Sequence, residues 1–178
     1  MARLASTNAL KRGVSRPAME NLALVRALEE AHTGPAWHGP SLRVTLRHCT
    51  IEEAQFRVAP GRNTIWELVL HIAYGKHVVG NRLTGSRERF VRPLRRSWWP
   101  ATPAPSDAAW RADLALLESS HEKLVRAVSE ATPAALARRR TGKRHDFGQE
   151  VLGIALHDTY HGGQITLLRK LYSLSSSG

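Results

Sequence analysis

The segment HDTYHGGQ, residues 157 to 164, sets His157 and His161 four positions apart. On a helix, side chains at i and i+4 differ by about 40° in direction and about 6 Å in height, so both imidazoles can reach one ion. Both rings also fall on the apolar stripe of Ile154, Leu168 and Leu171. A buried imidazole without a partner is costly, so each ring needs one. Two readings follow. Either each is a core histidine hydrogen-bonded to its own carbonyl or carboxylate, or the two share a divalent cation. Packing explains two crowded imidazoles poorly, whereas a shared cation explains both at once.

A third donor is available on another helical segment. His71 lies on the Leu68 and Val78 line, with Gly75 one turn on leaving space beside a ring. His71, His157 and His161 would then fill three positions of a coordination sphere and leave others open for water or substrate. His121 also lies on an inward stripe, as a further ligand candidate, a pocket wall or a hydrogen-bonded core residue. His32, His48, His77 and His145 show no convergence and read as surface residues. Gln164, close after His161, either bonds a metal-bound ligand or packs between helices. Asp158 points about 100° from His157, towards solvent or behind a ligand. Gly162 and Gly163 cost a helix roughly 1 kcal/mol each, which points to close helix approach or to open space beside the site. The pattern is not the HExxH of zinc proteases, because the glutamate base is missing.

Four long helical segments must position these residues. Residues 17 to 32 combine good helix formers with an apolar face of Met19, Leu22, Val25 and Leu28. A short helical stretch, SLRVTLRHC, and a capping box at Thr50 and Glu53 follow. A second box at Thr64 and Glu67 opens a helix running to about Leu83. The connection RPLRRSWWPATPAPSD, rich in proline, is expected to be irregular, with Trp98 and Trp99 lying over the core as a lid. A third helix runs from Ser106 and Asp107 to about Thr132, and a fourth from about Gln149 to Leu174. No segment alternates as a strand would. The expected fold is an all-α four-helix bundle over 18 to 175 with short accessory helices, preceded by a flexible arm at 1 to 17.

Composition limits the function. Hydrophobic residues make up 42% and charged residues 23% of 178, a globular balance sufficient for one core. No apolar run approaches the roughly 20 residues of a membrane span, which points to a cytoplasmic protein. The arm carries Arg3, Lys11, Arg12 and Arg16 without an acid, a pattern that also fits an organellar transit peptide. The single cysteine, Cys49, excludes an internal disulfide. The net charge of +11 concentrates at Arg82 to Arg96 and Arg138 to Arg144. These stretches read as solvated loops or as an attraction for phosphate or another anion. They lack the interleaved aromatics of a base-stacking platform, which argues against nucleic acid as the partner.

The stretches TIWELVLHIAYGKHVV, VLGIALHDTYHGGQITLLRK and AWHGPSL resemble the DinB/YfiT-like metalloenzymes, from about Leu22 to Tyr172. The resemblance implies a four-helix bundle, often a homodimer, in which one histidine of the second helix and two of the fourth bind a divalent metal of zinc, nickel or manganese type. Those positions hold His71, His157 and His161 here. Related members are S-transferases or isomerases that use low-molecular-weight thiols. Trp37, His38, Trp99, His121 and Gln164 are the expected substrate-pocket residues. Two functions stand open: a metal-dependent S-transferase or hydrolase acting on a small molecule, and a non-catalytic metal-binding or stress-linked bundle whose basic surface meets a partner or nucleic acid. Metal retention should weaken below about pH 6.5, because the ligands must be unprotonated.

Overall fold

Helix starts fix the frame. Thr64 accepts a hydrogen bond from the Glu67 amide at 3.2 Å, and the Glu67 carboxylate accepts one from the Thr64 amide at 2.9 Å. Asp146 and Gln149 close the same box on the last helix. In the computed structural model, residues 19–176 are described; the expected N-terminal arm lies outside them. The order is α1 (Met19–His32), α2 (Leu42–Leu46), α3 (Ile51–Gln55), α4 (Ile65–Thr84), β1 (Leu94–Arg96), β2 (Trp99–Pro100), α5 (Asp107–Glu130), α6 (Pro133–Ala137) and α7 (Phe147–Ser175). Each of α4 and α1 packs on both α5 and α7, which makes a four-helix bundle. No described helix is long and apolar enough to cross a membrane.

Two elements depart from expectation. The connection after α4 is not wholly irregular, since β1 and β2 pair antiparallel with Leu94 opposite Pro100 and Arg96 opposite Trp99. Proline is tolerated because the ladder is a two-stranded edge, and the Ala101 amide closes it on the Pro93 carbonyl at 2.8 Å. Between the strands Trp98 adopts φ +66°, a left-handed conformation costing a non-glycine residue roughly 1–2 kcal/mol. The Thr132-Pro133 pair starts a helix: Thr132 caps α6 and Pro133 fills its first turn.

The core is split in two. One cluster gathers Ile65, Trp66, Val69, Ile72, Trp110, Leu117 and Ile165; the other gathers Leu28, Val79, Leu124, Val128, Val151 and Ile154. Between them a polar layer crosses the bundle. Lys76 and Asp158, both with no exposed side-chain surface, form an ion pair between α4 and α7. The Lys76 ammonium also lies 3.3 Å from His121 Nδ1 on α5. His32, from α1, stacks on His121 with ring centroids 3.9 Å apart and reaches Glu118 at 3.3 Å. The expected surface residue His32 is therefore fully buried, and Asp158 faces neither solvent nor a metal ligand.

Part of each basic stretch is tied down. Arg92 grips buried Asp113 with two bonds at 2.8 and 2.9 Å, and Asp113 also accepts from the Trp66 indole at 2.7 Å. Arg82 and Arg140 share Glu150, while Arg95 reaches Glu67 at 2.9 Å.

Removing Lys76 strands a buried carboxylate. Lys76→Met should cost about 3–5 kcal/mol in denaturant unfolding, and Lys76→Met with Asp158→Leu should recover much of it, because an apolar pair replaces a buried ion pair without leaving a lone charge.

Candidate metal centre

Where α4 passes α7, three imidazoles meet. His157 Nε2 lies 3.0 Å from His71 Nε2 and 3.1 Å from His161 Nε2. The three expected donors from two separated segments are thus brought together, with one ligand atom of each within 4.8 Å of the others.

Proton accounting shows what this convergence demands. His71 Nδ1 lies 2.7 Å from the Trp98 carbonyl oxygen and must donate to it, so its Nε2 carries a lone pair. His161 Nδ1 lies 2.7 Å from Gln164 Oε1 and donates likewise, which turns a second lone pair towards the same point. The neutral ring of His157 has one proton and cannot answer both while its buried Nδ1 also lacks a partner. A cation answers all three Nε2 atoms together. The spacing suits one: zinc–nitrogen bonds of about 2.0–2.1 Å place tetrahedral ligands about 3.3 Å apart. The donor set therefore fits a divalent metal.

Burial keeps the rings ready for it. His157 is pushed down to about 4, first by desolvation and then by the neighbouring rings of His161 and His71. His71 and His161 are also lowered, chiefly by burial, and in each the hydrogen bond at Nδ1 partly offsets the shift. Protonation thus begins below the ordinary value of 6.5 expected from sequence.

The flanking residues hold the ligands. Trp99 is a plate rather than a free lid: its ring stacks on His71 at 4.2 Å, with 7° between planes. The Arg96 guanidinium also lies over the Trp99 ring, 4.9 Å from its centroid. Tyr160 meets His161 edge-on at 5.0 Å. Gln164 bonds the ligand ring itself, and with Leu68, Leu167 and Val58 it lines a cleft of about 510 Å³. A larger cavity of about 930 Å³ lies between α4 and residues 85–94, lined by Tyr74, Arg82 and Arg89, and includes none of the three histidines. The smaller cleft also includes none of the three histidines, but it shares Gln164 with the site.

Other expectations change. Trp37 is 94% exposed and His38 is exposed, since both sit on the loop before α2 and line none of these cavities. His121 belongs to the buried polar layer and is not a pocket wall. A Cβ at Gly75 would meet His157 Cε1 at 3.7 Å, so the space lies beside His157 rather than His71. A Cβ at Gly162 or Gly163 would meet nothing within 4 Å, so among the described residues no other helix approaches closely there. His77 is half-buried and bonds the Glu88 carbonyl at 2.9 Å, whereas His48 and His145 are exposed as expected.

His32, His121 and Asp158 form a second group with metal-ligand spacing. Here the chain supplies its own cation, because the Lys76 ammonium already sits on Asp158 and beside His121. An ammonium only donates, so His121 Nδ1 accepts and its proton sits on Nε2, 3.6 Å from Glu29. Sequence reading missed Lys76, whose only signal was its place between Ala73 and Val79 on an apolar helix.

The model of the DinB superfamily matches residues 36–165. The chain belongs to the DinB superfamily. The match spans both histidine-bearing segments, and the helical bundle agrees with it. No curated protein and no solved structure gives a significant match to this DinB-like chain.

Two measurements check the site. His71→Ala and His157→Ala should each abolish stoichiometric metal in elemental analysis, and unchanged metal in both would refute the centre. With metal removed, folding stability should fall as pH drops below about 6.5. His121, held near 3 chiefly by burial, and His157, near 4, stay neutral in the fold while the unfolded chain takes up protons. Each ring costs up to about 1.4 kcal/mol per pH unit in that window, so denaturation at pH 7 and pH 5 reads the effect directly.

Proposed function

We propose that His71, His157 and His161 hold a divalent cation, of zinc, nickel or manganese type, and that the protein is a metal-dependent enzyme of the S-transferase or hydrolase type. The observation that carries this reading is the pair of Nε2 lone pairs, on His71 and His161, fixed towards one point by donation of both Nδ1 protons. Such a cation, held by three neutral imidazoles, keeps its full charge and acidifies a bound water or thiol.

The chain's own residues supply the setting. Trp98 and Gln164 hold the ligand tautomers by accepting the Nδ1 protons. Trp99 shields one face of His71. The cleft between residues 58–63 of the α3–α4 loop and Leu167 brings a small substrate against Gln164, with Leu68 and Leu168 as apolar walls. A low-molecular-weight thiol and a small electrophile suit a cleft of about 510 Å³. The alternative, a non-catalytic bundle acting through its basic surface, has less support because Arg82, Arg92, Arg95 and Arg140 are engaged in ion pairs.

Native protein should contain near-stoichiometric metal and should turn over at least one thiol and electrophile pair, or one hydrolysable ester or amide, in a substrate screen. Chelator should remove both metal and activity, and added metal should restore both. Activity indifferent to chelator would overturn the reading.

A further inference from the structure

The cavity of about 930 Å³ between α4 and residues 85–94 takes no part in the metal centre, since none of the three histidine donors lines it. The described residues around it include four arginines, Arg82, Arg87, Arg89 and Arg92, against one acid, Glu88. That acid is already engaged, because Lys123 on α5 donates to its carboxylate at 2.7 Å. Two of the arginines are engaged as well, Arg82 with Glu150 and Arg92 with Asp113. Arg87 and Arg89 differ. Both are exposed, and among the described residues neither guanidinium has a partner.

The residue between them fixes where they stand. The Glu88 carbonyl accepts from Asn81 Nδ2 at 2.8 Å and from His77 Nε2 at 2.9 Å, both on α4. Its amide donates to Ser86 Oγ at 3.1 Å. Residue 88 is thus tied to α4 by its backbone and to α5 by its side chain, with an unpaired arginine on each side at the cavity wall. Two like charges so close in sequence repel unless an anion answers them.

Much of the remaining lining is apolar or aromatic. Phe90 meets Tyr74 edge-on at 5.3 Å and lies 5.2 Å from the His77 ring, while Val78 and Val91 add aliphatic surface. The Tyr74 ring also meets Trp98 at 5.8 Å, and its hydroxyl has no partner among the described residues.

We propose that this cavity binds a small phosphate monoester with an apolar body, its phosphate on Arg87 and Arg89 and its body against Phe90, Tyr74 and Val78. A phosphate monoester carries about −1.5 to −2 at neutral pH, close to one charge for each unpaired guanidinium. The guanidinium fork matches phosphate oxygens two at a time, whereas a single carboxylate leaves one arginine unanswered. A volume of about 930 Å³ is that of a large small-molecule site, with room for far more than an inorganic ion. A nucleic-acid strand fits less well, because it needs free cations along a groove that continues past the cavity. The next arginines in sequence are engaged, Arg95 with Glu67 and Arg96 with Asn63 and the Trp99 ring. The site stands apart from the metal reading and does not rest on it.

Isothermal titration of the full chain with phenyl phosphate tests this. Phenyl phosphate should bind one to one with a dissociation constant of about 0.1 mM. Inorganic phosphate and phenol, each lacking half of that ligand, should bind at least ~10-fold more weakly. Combining Arg87→Gln with Arg89→Gln should weaken phenyl phosphate at least ~10-fold. Helical circular dichroism should not change, since both side chains are exposed and unpaired. His157→Ala, and wild type treated with chelator, should keep the affinity within about twofold, because the two sites share no residue. Absence of saturable binding at millimolar phenyl phosphate overturns the proposal, and so does an unchanged affinity in the double arginine variant. Binding lost in both His157→Ala and the chelated protein would put the anion on the metal instead. An oligothymidylate that binds through Arg87 and Arg89 while phenyl phosphate does not would assign the arginines to nucleic acid and overturn it equally.

Discussion

A lysine ammonium with no exposed surface must be met by an anion, and Lys76 meets Asp158 between α4 and α7. The bond joins the two helices that carry the histidine donors. Asp158 is the next residue after His157, and Lys76 lies five positions after His71. The pair thereby fixes how far α4 and α7 can slide, and with it the distance between ligand rings. A purely apolar seam would tolerate small shifts of register, because dispersion and burial have little directional preference. A charged pair in a dry layer does not, since separation exposes each partner to the full cost of isolation.

The layer also divides labour along the bundle. Apolar clusters on either side supply burial, while the middle supplies direction through Lys76, Asp158, His121 and His32. Its rings stack, its lysine donates to both a carboxylate and an imidazole, and Glu118, held near 2 by His32 and Arg43 despite burial, closes it towards the surface. The candidate metal centre adjoins this layer on the same two helices, with His157 next to Asp158 on α7. Stability and chemistry therefore share one pair of helices.

Much of this was legible in the sequence because it depends on short-range rules. The i, i+4 pair His157 and His161, the capping box at Thr64, and the periodic stripes of α4, α5 and α7 each follow from a few neighbouring residues. His71 could be added because its helix was well defined. What was not legible depends on partners far along the chain. His32 looked like the polar end of α1, and only its contact with His121, contributed by α5, makes it a core residue. Asp158 and Lys76 explain each other, yet neither is interpretable alone. The Trp98 conformation and the short ladder around it arise from contacts with α4, so a proline-rich string gave no sign of them. Trp37 and His38 lie apart from the described clefts for a related reason: their motif sits on an exposed loop before α2, whose placement depends on contacts far along the chain.

The three donors are not equally anchored. His157 and His161 ride on one continuous helix, whereas the orientation of His71 is set by a backbone carbonyl in a left-handed turn and by the tryptophan stacked beside it. The candidate donor set thus has two corners carried by one helix and a third whose ring orientation is set from outside its helix, by the segment that holds Trp98 and Trp99.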